Sequence, residues 1–304
     1  MTANQIRTCV AIAILLATCA SALAAPEPGV GLYHVTYDNA PNVTFGTYLG
    51  QPNPNYQRLT FMLTHTYAET PWNNHFHRIG SYSYTGPAES PVEALSTNDR
   101  VPEPHYLDDG LALLPGVGVF AGKLVSGMGP AALPNDSIEQ EFGHLTIAPM
   151  DSLMAFDGLD HPNPALEDPN PAIDGAKHPV HYLINASSGV YKNSVDGVRI
   201  GLELTAISPG LEIADAAGAS LFGSVGDVLT LGETDDWSLT PYFAVDELTA
   251  PGSAFSATFK LVDLSDTPQF GDSAPFSFDF ITVPEPTGAV LGLVAIGLVT
   301  VRRR

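Results

Sequence analysis

The sequence predicts an all-β protein whose body is an antiparallel, sandwich-like fold. Short runs rich in valine, isoleucine, threonine, tyrosine and phenylalanine recur along the chain, and 28 glycines and 26 prolines separate them. No long stretch shows the 3.6-residue periodicity of an amphipathic helix. Many short apolar runs bounded by turn residues are typical of a sandwich or a barrel.

The clearest predicted strand begins at Ala254, because apolar and polar residues alternate after it. Its apolar face consists of Phe255, Ala257, Phe259 and Leu261. The same reasoning predicts strands at residues 31–37, 58–67, 75–84, 145–147, 180–185, 198–207, 228–231, 242–245, 254–264 and 275–283. Short helical turns are expected near residues 91–95, and a connector rich in Pro, Asp and Asn, residues 162–179, could divide the body into two halves.

Residues 1–24 are predicted to be a cleavable signal peptide. Arg7 precedes an apolar run at residues 10–17, and Ala22 and Ala24 satisfy the small-x-small cleavage rule. Lipoprotein-type processing at Cys19 and a plain membrane anchor are the alternatives. Since Cys9 and Cys19 both lie in this segment, cleavage leaves a cysteine-free body at residues 25–283, without disulfides, thiolate catalysis or cysteine-based zinc sites.

Residues 284–304 form a second targeting segment. Pro284, Glu285 and Pro286 are followed by the uncharged residues 287–301 and then by three arginines. This order resembles the PEP-CTERM sorting signal, which exosortase-type enzymes process in Gram-negative-type bacteria. The resemblance implies export and transient membrane anchoring, then a place in the periplasm, on the cell surface or in the extracellular matrix beside exopolysaccharide. A plain tail anchor is the alternative.

The charge balance excludes several classes of partner. The chain has 12 basic and 33 acidic residues, a formal net charge of −21. Four of the basic residues but only one acidic residue lie in the two terminal segments, so the body is still more acidic. Such a surface repels phosphate backbones and anionic lipid, and we expect no nucleic-acid binding.

Three histidines provide the best chemical signal in the sequence. His75 and His77 share one face of a strand, because side chains at i and i+2 point the same way. If residues 58–67 and 75–84 form a hairpin, His65 faces either His75 or His77, and all three rings lie on one face. Imidazole nitrogens brought together in this way bind zinc, with copper as the alternative metal. The fourth ligand could be water, Glu69 or His105.

Residues 75–87, which begin His75-Phe76-His77-Arg78-Ile79-Gly80, resemble the Zur-repressed PEP-CTERM protein family. Residues 55–61, 121–124 and 198–210 are also similar to that family. Zur is the zinc-uptake regulator, so the resemblance implies an exported protein that binds or acquires zinc when zinc is scarce. It assigns this role to His65, His75 and His77, with His105 as a further candidate, and it implies no enzymatic activity.

The other candidate sites have weaker signals. His178 and His181 could form a second metal site from a loop, together with His161 and Asp160, whereas His34 and His144 are expected to be structural. Acidic residues stand beside glycines at residues 157–160 and 173–175, but neither stretch has the spacing of a calcium-binding EF-hand loop. We therefore expect turns there and not calcium.

Three functional classes fit the sequence. The first is a surface or periplasmic protein that captures or buffers zinc, with signal peptidase and an exosortase-type enzyme as processing partners. The second is a structural, metal-free protein of the polysaccharide matrix. The third is a three-histidine zinc hydrolase or hydratase, although no catalytic motif such as Gly-x-Ser-x-Gly or His-Glu-x-x-His is present.

Overall fold

A computed structural model describes residues 33–67, 70–103, 110–127 and 145–283. Its regular structure is mostly β-strand, which confirms the predicted all-β, sandwich-like class. The predicted signal peptide at residues 1–24 and the sorting segment at residues 284–304 lie outside these ranges. Within them, no helix has the length and apolar character that crossing a membrane requires.

The strands and helices follow one another along the chain with irregular segments between them. The strands are β1 (Tyr33–Tyr37), β2 (Leu59–His65), β3 (His75–Ile79), β4 (Tyr82–Thr85), β5 (Val92–Leu95), β6 (Arg100–Val101), β7 (Leu111–Pro115), β8 (Lys123–Val125), β9 (Ile147–Pro149), β10 (Ile200–Ile207), β11 (Glu212–Ala214), β12 (Val228–Gly232), β13 (Tyr242–Asp246), β14 (Ala254–Asp263) and β15 (Phe276–Thr282). The α-helices are α1 (Asp151–Met154) and α2 (Pro179–Asn185), and single 3₁₀ turns occur at Pro71–Asn73, Gly118–Phe120 and Ala186–Gly189.

Two sheets form the sandwich. The smaller sheet has the order β3-β2-β1-β9, in which β9 runs parallel to β1 and the other pairs are antiparallel. The larger sheet follows the order β11-β13-β8-β7-β15-β14-β10-β12. The short β6 pairs with the first part of β15, and β7 pairs with the last part of the same edge. Strands β4 and β5 make a separate hairpin.

Aromatic rings fill the space between the two sheets. Phe61 of the smaller sheet stacks on Phe276 of the larger sheet, with ring centroids 4.0 Å apart, and on Tyr33 at 5.3 Å. Along β15, Phe276, Phe278 and Phe280 are buried while the residues between them are half-buried. Alternation therefore directs one face of this strand into the core, and residues from both halves of the chain build that core.

The two helices cover the outer face of the smaller sheet. Val180, Leu183 and Ile184 of α2 are buried against Met62 of β2. Their i, i+3, i+4 spacing is that of a helix face, so the strand predicted at residues 180–185 is wrong. The sequence signal for a helix was Pro179, which occupies the first helical position directly after the N-cap residue His178.

Two further predictions need correction. The helical turn expected at residues 91–95 is strand β5, which pairs with β4. The strand predicted at residues 75–84 is divided into β3 and β4 by Gly80, whose φ of +63° ends β3. By contrast, the buried face predicted after Ala254 is confirmed, since Ala257, Phe259 and Leu261 are buried.

His34 is a buried titratable group on the outer face of β1. Its Nδ1 lies 3.0 Å from Thr64 Oγ1, and its Nε2 has no hydrogen-bond partner among the described residues. Burial lowers the pKa of His34 to about 3, because the imidazolium form would lose its hydration. The ring is therefore neutral at physiological pH, in keeping with a structural role.

We expect His34 to make the protein sensitive to acid. Its pKa is lower in the folded state than in the unfolded state, so the unfolded chain binds the proton first as pH falls. The stability that the neutral ring contributes is complete above about pH 6.5 and is lost progressively toward pH 3. The total loss is on the order of 5 kcal/mol, since one pKa unit corresponds to about 1.4 kcal/mol and the pKa falls from 6.5 to about 3.

Urea unfolding at pH 7.5 and pH 4.5 would test this expectation. The free energy of unfolding should fall less between these pH values in a His34→Leu variant than in the wild type. A His161→Asn variant, altered at the residue just before the connector, should keep the wild-type pH dependence of the free energy of unfolding. Equal pH dependence in the His34→Leu variant and the wild type would contradict the assignment.

Candidate metal centre

The hairpin of β2 and β3 brings three histidines together. His65 pairs directly with His75, the first of the two predicted registers, and His77 faces Leu63. The 3₁₀ turn Pro71–Asn73 precedes β3. Asn74 then fixes the end of the hairpin, since its side chain accepts from the Tyr67 backbone N–H and donates to the carbonyl oxygen of Pro179.

The three rings lie close enough to hold one ion. Their ligand nitrogens are all within 4.8 Å of one another, and no other group of three or more His, Cys, Asp or Glu side chains in the described part of the chain has this property. His75 Nε2 is 2.8 Å from His77 Nε2, and His65 Nδ1 is 3.5 Å from the same atom. Tetrahedral zinc with bonds of about 2.0–2.1 Å needs nitrogens roughly 3.3 Å apart, which lies between these two distances.

Hydrogen bonds outside the cluster determine which nitrogen of each ring can bind a metal. His75 Nδ1 lies 2.7 Å from the carbonyl oxygen of Asn73, and His77 Nδ1 lies 2.6 Å from Glu103 Oε2. Both oxygens accept, so both Nδ1 atoms carry the hydrogen and each neutral ring has its lone pair on Nε2. Two lone pairs 2.8 Å apart repel each other unless a cation lies between them. This arrangement is the one that metal-ligating histidines show.

His65 completes the cluster from the neighbouring strand. Burial is the main cause that lowers the pKa of His65 to about 4, and positive charge on His77 or His75 would lower it further, whereas Glu103 raises it. The ring also stacks on Tyr67, with centroids 4.8 Å apart. His65 is therefore unprotonated at neutral pH, as a metal ligand must be.

The cluster lies at the boundary between the two sheets. The histidines are on the same face of the smaller sheet as the core residues Phe61 and Leu63. Glu103 comes from the other side, two residues after β6 of the larger sheet. Its second oxygen accepts a hydrogen bond of 2.6 Å from Asn98 Nδ2.

Sequence reasoning did not find Glu103 or Asn98. Both are far from the hairpin in sequence, and no spacing rule connects them to it. The two other predicted participants, Glu69 and His105, lie outside the described residues, as does His144, which was expected to be structural. The described part of the centre therefore consists of the three histidines and their hydrogen-bond partners.

The residues proposed for a second metal site have other contacts. His178 is buried, accepts from the Val180 backbone N–H and stacks on Phe156. His181 Nδ1 lies 2.7 Å from Asp157 Oδ1. His161 Nδ1 accepts from the Asn163 backbone N–H, and Asp160 pairs with Lys177.

Asp157, in the first of the two acidic stretches, is bonded to neighbouring side chains. It forms an ion pair with Lys192 and accepts a hydrogen bond from Asn185. The hydrogen bond from Lys192 is the largest cause that lowers the pKa of Asp157 to about 2. These contacts connect the start of the 157–160 stretch to α2 and to the segment after it.

No known protein family matches the chain, and no similar protein is found among curated proteins or solved structures. The described residues thus define an all-β protein with a three-histidine cluster that could hold a metal ion.

Proposed function

We propose that this protein binds zinc outside the cytoplasm and captures or buffers the metal when zinc is scarce. The observation that carries the proposal is the convergence of His65, His75 and His77, two of which have Nε2 directed inward by hydrogen bonds at Nδ1. A structural role alone gives no reason to place two unprotonated nitrogens against each other at the end of a hairpin.

The donor atoms favour zinc, with copper as the alternative. Three neutral imidazoles suit borderline divalent ions, whereas calcium and magnesium prefer carboxylate and carbonyl oxygens. The net charge of −21 would attract cations toward the protein and raise their local concentration.

The extracytoplasmic location rests on the two terminal segments of the sequence. Processing by signal peptidase and by an exosortase-type enzyme, and proximity to exopolysaccharide, are parts of the same proposal. The resemblance of residues 75–87 to the Zur-repressed PEP-CTERM family supports the link to zinc scarcity, because that stretch contains His75 and His77.

A binding role accounts for the site better than a hydrolytic role. The carboxylate beside the cluster, Glu103, is buried and bonded to His77 and Asn98. It is therefore not placed as a free proton acceptor for a metal-bound water.

Metal analysis and a competition titration on the purified protein test the proposal. We expect about one zinc per chain in the wild type. A His75→Ala/His77→Ala double variant should lose more than about 100-fold in zinc affinity, because it loses two ligands, and loss of an outer-shell partner alone typically costs 10–100-fold.

The matched control is a His161→Ala/His181→Ala double variant, which removes the same number of histidines away from the cluster. It should bind zinc as the wild type does. Unchanged zinc affinity in the His75→Ala/His77→Ala variant would refute the site. A wild type that binds neither zinc nor copper would favour the metal-free matrix protein.

A further inference from the structure

We propose that Glu103 is a positioning residue of this centre, which holds His77 in its metal-binding form and makes the site selective for a divalent ion. This inference rests on the proposed metal-binding function and adds to it a residue from the segment that follows β6 of the larger sheet. Glu103 is not a ligand in this assignment, since it acts through the ring of His77.

The geometry of the carboxylate supports the role. The Glu103 side chain is only 2% exposed, and Oε2 lies 2.6 Å from His77 Nδ1. Asn98 holds Oε1 with one N–H at 2.6 Å and donates to the carbonyl oxygen of Arg78 at 3.1 Å. The carboxylate is thus fixed against β3 at both oxygens, and it is directed at His77.

A buried carboxylate at this place is costly without a function. Removing the hydration of a carboxylate is unfavourable, and the hydrogen bonds to His77 and Asn98 offset part of that cost. A carboxylate that accepts from the outer nitrogen of a metal-bound histidine has a clear effect, because it fixes the tautomer and raises the basicity of the ligating nitrogen. The position of Glu103 matches that arrangement.

The charge of Glu103 also bears on which ion is bound. His65, His75 and His77 contribute no charge when neutral, and the outer partner of His75 is the neutral carbonyl of Asn73. Glu103 therefore supplies a negative charge next to the cluster through His77. Its attraction for a divalent ion is twice that for a monovalent ion at the same place, which favours Zn²⁺ or Cu²⁺ over Cu⁺.

Two variants of Glu103 test the inference. Glu103→Gln removes the charge and keeps an acceptor for His77, whereas Glu103→Ala removes both. We expect zinc affinity to fall about 10-fold in the first and up to about 100-fold in the second. Cu⁺ affinity, measured by competition with a chromophoric chelator, should fall by a smaller factor in Glu103→Gln. Glu212→Gln is the control for net charge, because Glu212 is an exposed residue on the edge strand β11.

A spectroscopic measurement separates positioning from a general structural effect. Long-range ¹H–¹⁵N NMR spectra of the metal-free protein report the tautomer of His77. We expect the hydrogen on Nδ1 in the wild type and in Glu212→Gln, and a shift toward the other tautomer in Glu103→Ala, with a folded spectrum in each.

Two results would overturn the inference. The first is wild-type zinc affinity in Glu103→Ala, and the second is an unchanged tautomer of His77 in that variant. The proposed function fails if the wild type binds no metal. In that case the NMR spectra can still show the hydrogen on Nδ1 of His77, so the two failures give different results. That measurement decides the role of Glu103 whether or not zinc binds.

Discussion

Zinc in large excess is expected to raise the thermal unfolding midpoint of the wild-type protein by about 10 °C. A ligand that binds only the folded state stabilises it by about 4 kcal/mol at a thousand times its Kd. For a domain of this size, 1 kcal/mol corresponds to roughly 2–4 °C. The unfolded chain offers no preformed site, because the three histidines meet only when β2 and β3 pair.

Differential scanning calorimetry with and without zinc measures this shift. The His75→Ala/His77→Ala variant should show almost no shift, and a chelator should return the wild type to its metal-free midpoint. The His161→Ala/His181→Ala variant should behave as the wild type does. Equal shifts in the two double variants would mean that zinc stabilises the protein from some other place.

Replacing Gly80 with alanine is expected to destabilise the protein by more than about 3 kcal/mol. The residue has φ of +63°, and a Cβ there would lie 2.4 Å from the carbonyl oxygen of Pro275 and 2.8 Å from Cβ of Phe276. The left-handed conformation alone costs about 1–2 kcal/mol for a residue with a side chain. The close contact is with backbone at the start of β15, which cannot move aside without disturbing the core.

Gly50→Ala is the matched control for this substitution. Gly50 has φ of +85°, but no atom lies within 4 Å of the Cβ that alanine would add, so only the conformational cost applies. Urea unfolding should therefore show a clearly smaller loss of stability for Gly50→Ala than for Gly80→Ala. Zinc affinity should fall only in the Gly80→Ala variant, since Gly80 follows β3 directly. Equal losses in both variants would show that the close approach of the sheets at Gly80 is unimportant.

The sequence was sufficient to predict the three histidines because their relation is local. Alternation along a strand places His75 and His77 on one face, and a hairpin brings His65 beside them whichever register forms. The choice of register depends on the turn and the core, so it could not be made from the pattern alone. The same local reasoning failed at residues 180–185, where Val180, Leu183 and Ile184 suit either a strand or a helix.

Glu103 could not be predicted, because its place depends on pairing between distant strands. It follows β6, and β6 lies beside β15, which is about 175 residues further along the chain. The alternation of polar and apolar residues within one segment does not indicate which distant strand that segment will pair with. The residue that we propose to position His77 is therefore one that only a three-dimensional structure could show.

The pairing of β6 with β15 also has a consequence for the order in which the site can mature. A growing polypeptide contains all three histidines once residue 77 has been made, yet the strand that places Glu103 is not made until residue 276. Until then Glu103 is not held beside the ring of His77. A nascent chain should thus bind metal weakly, and tight capture should begin only when the last strand of the larger sheet has joined.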